Sequence, residues 1–385
     1  MRSSLVNPLV RLGQLAVADF MRRYWQKRPV LLREVLPDFA VPVSRERLIA
    51  LAQRDDVESR LVTAFNGRWR LQQGPFRAQA LPARTRKRWT LLVQGVDQHD
   101  AAAHALLARF RFVPDARLDD LMVSYATDGG GVGPHVDSYD VFLVQAQGRR
   151  RWRIGRQRNL AFVPGLPLKI LAEFAPTQEW VLEPGDVLYL PPGVAHEGAA
   201  LGECITCSIG FRAPRFQELV PPWHAWLEES TQLRGNYRDP GLRPTRTPAR
   251  VPAPMIDATF RALARRRPAR SDAEATLLRA LSEPKPGVVF DPPARHLSLR
   301  AFRANAIRRG IALDRRTRLL YSNRRAAING ELLDVQPSVS LRQLADHRRS
   351  AGHEALRVVA SQGGLLYEWY LAGWLHLIRA RSTDA

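Results

Sequence analysis

Two histidines and one aspartate stand in settings that suit a metal ion. His135 and Asp137 lie two residues apart in Gly129-Gly130-Gly131-Val132-Gly133-Pro134-His135-Val136-Asp137-Ser138-Tyr139-Asp140, a glycine-rich turn running into the apolar stretch Val141-Phe142-Leu143. The period-2 alternation of a strand puts His135, Asp137 and Tyr139 on one face. His196 comes later, after Leu188-Tyr189-Leu190-Pro191-Pro192-Gly193, a strand closed by a turn. Two imidazoles and one carboxylate form the facial triad that holds non-haem Fe(II) and leaves three coordination positions open. That pattern points to an oxygenase. The same donors also make catalytic zinc sites.

Arg150 tilts the choice toward iron. On Arg149-Arg150-Arg151-Trp152-Arg153, residues 150 and 152 share a strand face, and the indole of Trp152 belongs inside. A guanidinium carried inside with it needs an anion, and its planar fork matches a carboxylate. Beside an iron triad, that anion fits the distal carboxylate of 2-oxoglutarate. The competing assignment is an ion pair with a protein carboxylate. The remaining histidines, among them His99, His104, His224 and His376, lack comparable settings and read as surface or core residues.

The elements that must position these groups are mostly strands. From Leu121 to Phe211 the pattern is nearly all β: 121–125, 135–145, 150–154, 179–182, 187–190 and 204–211, separated by turn signals at Gly148, Glu183-Pro184-Gly185-Asp186 and Pro191-Pro192-Gly193. Short strands at this spacing predict a double-sheet jelly roll of the cupin kind. Before it, Val17, Phe20, Tyr24 and Trp25 predict a helix ended by Pro29, followed by strands at 30–32 and 89–93.

After the barrel the pattern turns helical. Residues 236–255 are rich in Arg and Pro and read as a linker. Two short amphipathic helices follow, one marked by Met255, Ile256, Phe260 and Leu263, the other by Leu277, Leu278 and Leu281 after a capping box at Ser271–Glu274. Neither stripe has an evident partner in a barrel, so pairing across a two-fold axis in a homodimer is expected. In the last hundred residues, a helix at 299–309, a hairpin around Asn329-Gly330, a capping box at Ser340–Gln343 and an aromatic helix at 365–378 predict a winged-helix-like module. The expected division is 1–215, 216–285 and 286–385.

Composition narrows the partners. The chain has 385 residues with 45% hydrophobic and 25% charged, and an apolar run at 365–378 too short to span a bilayer. Asn7, Pro8 and Arg11 interrupt any signal-peptide core, so a cytoplasmic location without membrane contact is expected. Cys204 and Cys207, three apart on a strand, point to opposite faces and read as two packed thiols. The net charge of +21, largely arginine, favours a polyanionic partner such as RNA, or reflects a basic surface with no specific partner.

The runs Gly129–Asp140, Gly148–Arg153, Glu183–Asp186, Pro191–Gly193 and His196-Glu197-Gly198, with Tyr24–Pro29 and Gly210–Pro214, resemble the JmjC-type ribosomal oxygenases. The likeness is greatest to the bacterial branch that hydroxylates an arginine of a large-subunit ribosomal protein, and it covers roughly residues 15–215. It implies that His135, Asp137 and His196 bind Fe(II), and that Arg150 and Ser124 bind 2-oxoglutarate. The reaction would consume O2, release succinate and carbon dioxide and hydroxylate the arginine at its 3-position. For that arginine, Tyr139, Asp119 and Asp120 are the candidate contacts. Thr206 and Cys207 depart from the family pattern and leave the cosubstrate wall open. Two other readings stand beside this one. The same iron chemistry could act on a histidyl side chain, another protein or a nucleic acid, or an inert barrel could belong to a nucleic-acid-binding scaffold.

Overall fold

The computed structural model describes residues 7–37, 39–65, 68–157, 159–230, 251–264 and 269–378. They divide into two units, Met1–Ala213 with Gly287–Val289, and Pro214–Pro286 with Phe290–Ala385.

In the first unit, α1 (Val17–Arg23), β1 (Val30–Leu32), α2 (Arg45–Ala52), β2 (Ser59–Phe65), β3 (Arg68–Gln73), β4 (Trp89–Val93) and α3 (Ala101–Ala108) precede the barrel strands. Those are β5 (Leu118–Ala126), β6 (Asp140–Gly155), β7 (Gln178–Leu182), β8 (Val187–Leu190) and β9 (Ala195–Phe211). The sheet runs β1-β8-β6-β9-β5-β4-β2-β3, with β7 also on β6. The two strands expected at 135–145 and 150–154 are one long strand, and the strand expected at 204–211 begins at Ala195. Both long strands serve two layers. Asp140–Gln145 pairs with Thr206–Phe211 and with β8, whereas Arg149–Gly155 pairs with Ala195–Leu201 and with β7. Gly148, expected as a turn, is the corner between the halves. Its φ is +62°, and a Cβ there would lie 2.1 Å from the Glu203 carbonyl, so only glycine lets the strand fold over itself. The result is the expected double-stranded β-helix.

Alternation along β9 sorts the two faces. Ile205, Cys207 and Ile209 join the large core under the helices, while Thr206 and Ser208 face the barrel interior. Cys204 and Cys207 are free, buried and in separate clusters, as expected of packed thiols.

The N-terminal segment is locked to this barrel. Phe20 is fully buried, and Trp25 stacks on Tyr189 with ring centroids 5.7 Å apart. The Gln26 N–H donates to the Tyr189 hydroxyl at 2.7 Å, which in turn donates to Asp140 at 2.5 Å. Asp140, fully buried, also accepts from the Gln26 amide and pairs with Arg117, both at 3.0 Å. This network explains why residues 24–29 travel with a barrel more than a hundred positions away. Burial and the Asp140 carboxylate together push the Tyr189 phenol well above its ordinary range.

The second unit contains α4 (Val220–Ser230), α5 (Ala253–Ala264), α6 (Arg270–Ser282), α7 (Leu299–Arg309), α8 (Val339–His347) and α9 (Gly352–Leu371). Its short strands are β10 (Ile311–Leu313), β11 (Leu319–Tyr321), β12 (Ala326–Ile328), β13 (Glu331–Leu332), β14 (Arg349–Ser350) and β15 (Leu375–Leu377). They form two sheets, β14-β10-β15 and β11-β12-β13. Phe302, Leu344, Val358, Leu366 and Trp369 make the core of the winged-helix part. The segments 216–285 and 286–385, expected as separate regions, share this unit. Most of the expected linker lies outside the described residues, and its last positions open α5.

Three local expectations are corrected. The capping box expected at Ser271 does not form: Asp272 accepts from the Ala269 N–H at 2.8 Å and the helix starts at Arg270, with Ala269 offering no side-chain acceptor in return. Likewise Ser338, whose Oγ accepts from the Leu341 N–H, caps α8 in place of Ser340. The aromatic helix begins at Gly352 and stops at Leu371, and 375–377 pairs instead as a strand with β10. Gly373, at φ +77°, makes that stop.

Asp140→Ala should destabilise the fold by ~3–5 kcal/mol, because it leaves Arg117 and the buried Tyr189 hydroxyl without their acceptor. Tyr189→Phe should cost only ~1–2 kcal/mol. Urea unfolding of both variants checks the order; equal stabilities would remove Asp140 from this role.

Candidate metal and cosubstrate site

The segment before β6 is not a regular strand, contrary to the period-2 reading. His135 makes a single antiparallel bridge with His196, N–H to carbonyl at 3.0 and 2.9 Å in the two directions. Residues 136–139 bend away, and the Asp137 carbonyl accepts from Gly193 N–H at 2.8 Å instead of entering the ladder. Gly131 permits the approach: a Cβ there would lie 2.3 Å from the Gly198 carbonyl. The glycine run and the Pro-Pro-Gly turn thus clamp both histidines side by side, with ring centroids 4.2 Å apart.

The ring nitrogens are assigned by their partners. His135 Nδ1 lies 2.9 Å from the Gly133 carbonyl and His196 Nδ1 lies 2.9 Å from the Val194 carbonyl. A carbonyl only accepts, so each Nδ1 carries the proton and each Nε2 presents its lone pair. Those Nε2 atoms are 3.9 and 3.6 Å from the same oxygen of Asp137, and the three donor groups lie within 4.8 Å of one another. Burial, with the His135 ring beside it, pushes His196 down to about 4, which keeps it neutral and ligating at ordinary pH. Among the described residues this is the cluster with a metal-ligand donor set.

The triad opens on a cavity of about 480 Å³ inside the barrel. Arg150 lines it and is buried, as its strand position predicted. Its Nη1 donates to Ser124 Oγ at 3.1 Å and Thr206 Oγ1 at 3.3 Å, and its Nη2 to the Gly198 carbonyl at 3.3 Å. Among the described residues no carboxylate lies within ion-pair distance of it. The guanidinium therefore has only neutral acceptors, burial lowers its pKa, and a dicarboxylate entering the cavity would supply the missing charge. The donor set and this buried cation together fit Fe(II) with 2-oxoglutarate better than zinc alone.

Ser124 lies where the sequence placed it. Thr206, marked only as a departure from the family pattern, is a residue the sequence reading did not assign. It stands opposite Ser124 in register and donates to Gln145 at 3.1 Å while accepting from Arg150. The alternation Thr206, Ser208, Gly210 against Ile205, Cys207, Ile209 was the available signal.

Tyr139, Asp119 and Asp120 also line the cavity. Burial and the carboxylates of Asp137, Asp119 and Asp120 push the Tyr139 phenol up to about 12, so it stays a donor. Asp120 is buried, and its carboxylate accepts from the Gly95 N–H at 2.8 Å and the Gln94 amide at 2.9 Å. Its carboxylate thus helps hold the loop at residues 94–95. Asp119 is half-buried at the same wall.

Comparison with known proteins agrees with this geometry. A JmjC-domain model matches residues 105–219, and a ROXA-like winged-helix model matches 265–376. The ribosomal oxygenase YcfD of Escherichia coli superimposes with a TM-score of 0.81 at 31% identity, over 96% of this chain and 99% of that one. The chain belongs to the JmjC-type ribosomal oxygenases. A YcfD structure in complex with cobalt and 2-oxoglutarate matches equally well, with a TM-score of 0.81, 31% identity, and 95% and 99% of the two chains covered. Ribosomal protein uL16 3-hydroxylase of Escherichia coli (strain K12) is 43% identical over 60% of this chain and 62% of its own length. That sequence alignment thus spans less than two thirds of the relative.

Arg150→Ala should weaken 2-oxoglutarate binding by ~2–5 kcal/mol, and Thr206→Val by about 1 kcal/mol. Titration of the cobalt-loaded protein with 2-oxoglutarate measures both; unchanged affinity in Arg150→Ala would place the anchor elsewhere.

Proposed function

We propose that this chain is an Fe(II)- and 2-oxoglutarate-dependent hydroxylase that acts on C3 of an arginine in a large-subunit ribosomal protein of the uL16 type. The observation that carries the reading is one cavity holding a two-histidine, one-carboxylate donor set and a buried guanidinium with no counter-ion among the described residues.

His135, Asp137 and His196 would hold the iron as a two-histidine, one-carboxylate donor set. When bound, Fe(II) supplies the coupling of 2-oxoglutarate decarboxylation, which gives succinate and carbon dioxide, to insertion of one oxygen atom of O2 into a C–H bond. Arg150, aided by Ser124 and Thr206, holds the distal carboxylate of the keto acid and so fixes its orientation. The apolar wall of Val141, Leu143 and Trp152 excludes water from that end of the cavity. Tyr139 and Asp119, at the same cavity, suit a guanidinium and would set which side-chain carbon faces the metal.

The fold adds two proposals about partners. On α5, Met255, Ile256 and Phe260 are 40, 56 and 70% exposed, an apolar stripe that a second copy would cover in a homodimer through the 216–285 region. On α6, Leu278 is buried, Leu281 half-buried and Leu277 38% exposed, so the second stripe is only partly covered; the Leu263 side chain lies outside the described residues. The charge of +21 supports contact with RNA. A ribosomal substrate in turn supports action in the cytoplasm, and among the described residues no helix is long and apolar enough to cross a membrane.

Purified protein with Fe(II), 2-oxoglutarate and recombinant uL16 should add a single oxygen atom to one arginine, located by fragmentation mass spectrometry. His135→Ala should abolish the gain. Oxidation at a histidine, or none in the presence of succinate formation, would reject the arginine assignment. Separately, sedimentation at micromolar concentration should show a dimer that Ile256→Asp with Phe260→Asp converts to monomer. A wild-type monomer with full activity would refute the pairing.

A further inference from the structure

Part of the excess positive charge is clustered. Arg84, Arg86, Lys87 and Arg88 fill four of five consecutive positions on the exposed loop leading into β4. This loop is tied down. The Arg86 N–H donates to the Ala83 carbonyl at 3.0 Å and the Arg88 N–H to Asp128 at 2.9 Å, while the Arg88 carbonyl accepts from Ala64 at 2.9 Å. Arg88 is held at φ +62°, a conformation uncommon outside glycine and asparagine. The cations are therefore presented on one fixed backbone.

A second set adjoins it. The Gly129 N–H donates to the Ala200 carbonyl at 2.9 Å. On either side of Ala200, Leu201 registers against Arg149 and Ala199 against Arg151 on β6. Arg149 is exposed there. The acids nearby are already matched: Asp128 with Lys87 at 2.9 Å, Glu203 with Arg84, and Glu46 with Arg45 at 3.8 Å. Arg86, Arg88 and Arg149 form no ion pair among the described residues. Three guanidinium groups without an ion pair among the described residues thus stand on segments linked through the backbone of Asp128, Gly129 and Ala200.

Helix α9 offers a contrast. Its exposed surface carries Glu354 and Glu368 against Arg357, so the long helix of the winged-helix part is not a basic surface. We propose that the face formed by Arg86, Arg88 and Arg149 binds RNA through its phosphates. This inference rests on the ribosomal-substrate reading for the choice of RNA among polyanions. Planar guanidinium forks on a rigid support match phosphodiester oxygens, and such contacts release counterions and so depend on salt.

The test is fluorescence anisotropy of a labelled oligouridylate of about 20 nucleotides, with KCl raised from about 50 to about 200 mM. Wild-type protein should bind with steep salt dependence. The triple variant Arg86→Ala, Arg88→Asn, Arg149→Ala should lose at least about tenfold in affinity and lower the log–log salt slope by about 2. Asparagine is chosen at 88 because it tolerates the left-handed backbone, and the double variant Arg86→Ala, Arg149→Ala leaves that position untouched. Both variants should still hydroxylate free uL16, which also shows that they fold. A control set on other surfaces, Arg300→Ala, Arg308→Ala and Arg357→Ala, should bind RNA as wild type does. The proposal falls if wild-type protein shows no salt-dependent RNA binding, if it binds anionic vesicles but not RNA, or if face and control variants lose affinity equally. Because RNA binding is read without turnover, its failure is separate from failure of the hydroxylase reading.

Discussion

A guanidinium buried inside a β-barrel without a carboxylate beside it governs much of the first unit. Arg150 must leave water to enter the barrel, and three neutral acceptors do not replace the missing charge. Such a group is expensive unless something else in the fold holds it in place. Here the strand does so: Trp152 on the same face packs into the apolar interior and brings Arg150 with it, and the two long strands on either side of the Gly148 corner hold both. A buried guanidinium with neutral acceptors favours an anion of the right length. A site that is incomplete without its cosubstrate is poised to bind it.

The metal donors are organised by a different device, backbone carbonyls. Gly133 and Val194 each take the Nδ1 proton of the histidine two residues later, so both imidazoles are fixed in tautomer and ring orientation before any metal arrives. The bridge between His135 and His196 then couples the glycine-rich turn to the Pro-Pro-Gly turn. Preorganisation of this kind is set by main-chain geometry, which explains why glycine and proline crowd around residues that do the chemistry.

The two anchors also explain the division between rigid and adaptable parts of the cavity. The cosubstrate end is built on β5, β6 and β9, where Ser124, Arg150, Thr206 and Gln145 are linked across strands while Arg150 Nε and Trp152 Nε1 lack a partner among the described residues. Asp119, near the start of β5, and Tyr139, in the irregular segment before β6, line the cavity as well. Asp120 belongs to the first category despite its place beside Asp119, because its carboxylate is spent on the Gly95 N–H and Gln94.

The sequence by itself determined the chemistry and the class of fold. Ser124 entered through the family resemblance, whereas His135, Asp137 and His196 were legible from their glycine- and proline-rich turn settings and Arg150 from strand alternation, which are local rules. Helices at 17–23, 253–264 and 299–309 were legible for the same reason. Tertiary structure decided what local rules cannot express. Thr206 became a partner of Arg150 through a register across three strands, and Gly148 became a corner because Glu203 passes close to it. Residues 136–139 left the ladder because the glycine contacts and the Gly193 bond outcompete regular pairing. Both helices start nearer the N-terminus than the capping boxes predicted, one where Asp272 accepts from the Ala269 N–H and one where Ser338 caps, and 375–377 turned from helix to strand because β10 offered it an edge. In each case a long-range hydrogen bond or a close approach outweighed a propensity worth only a fraction of a kcal/mol per residue.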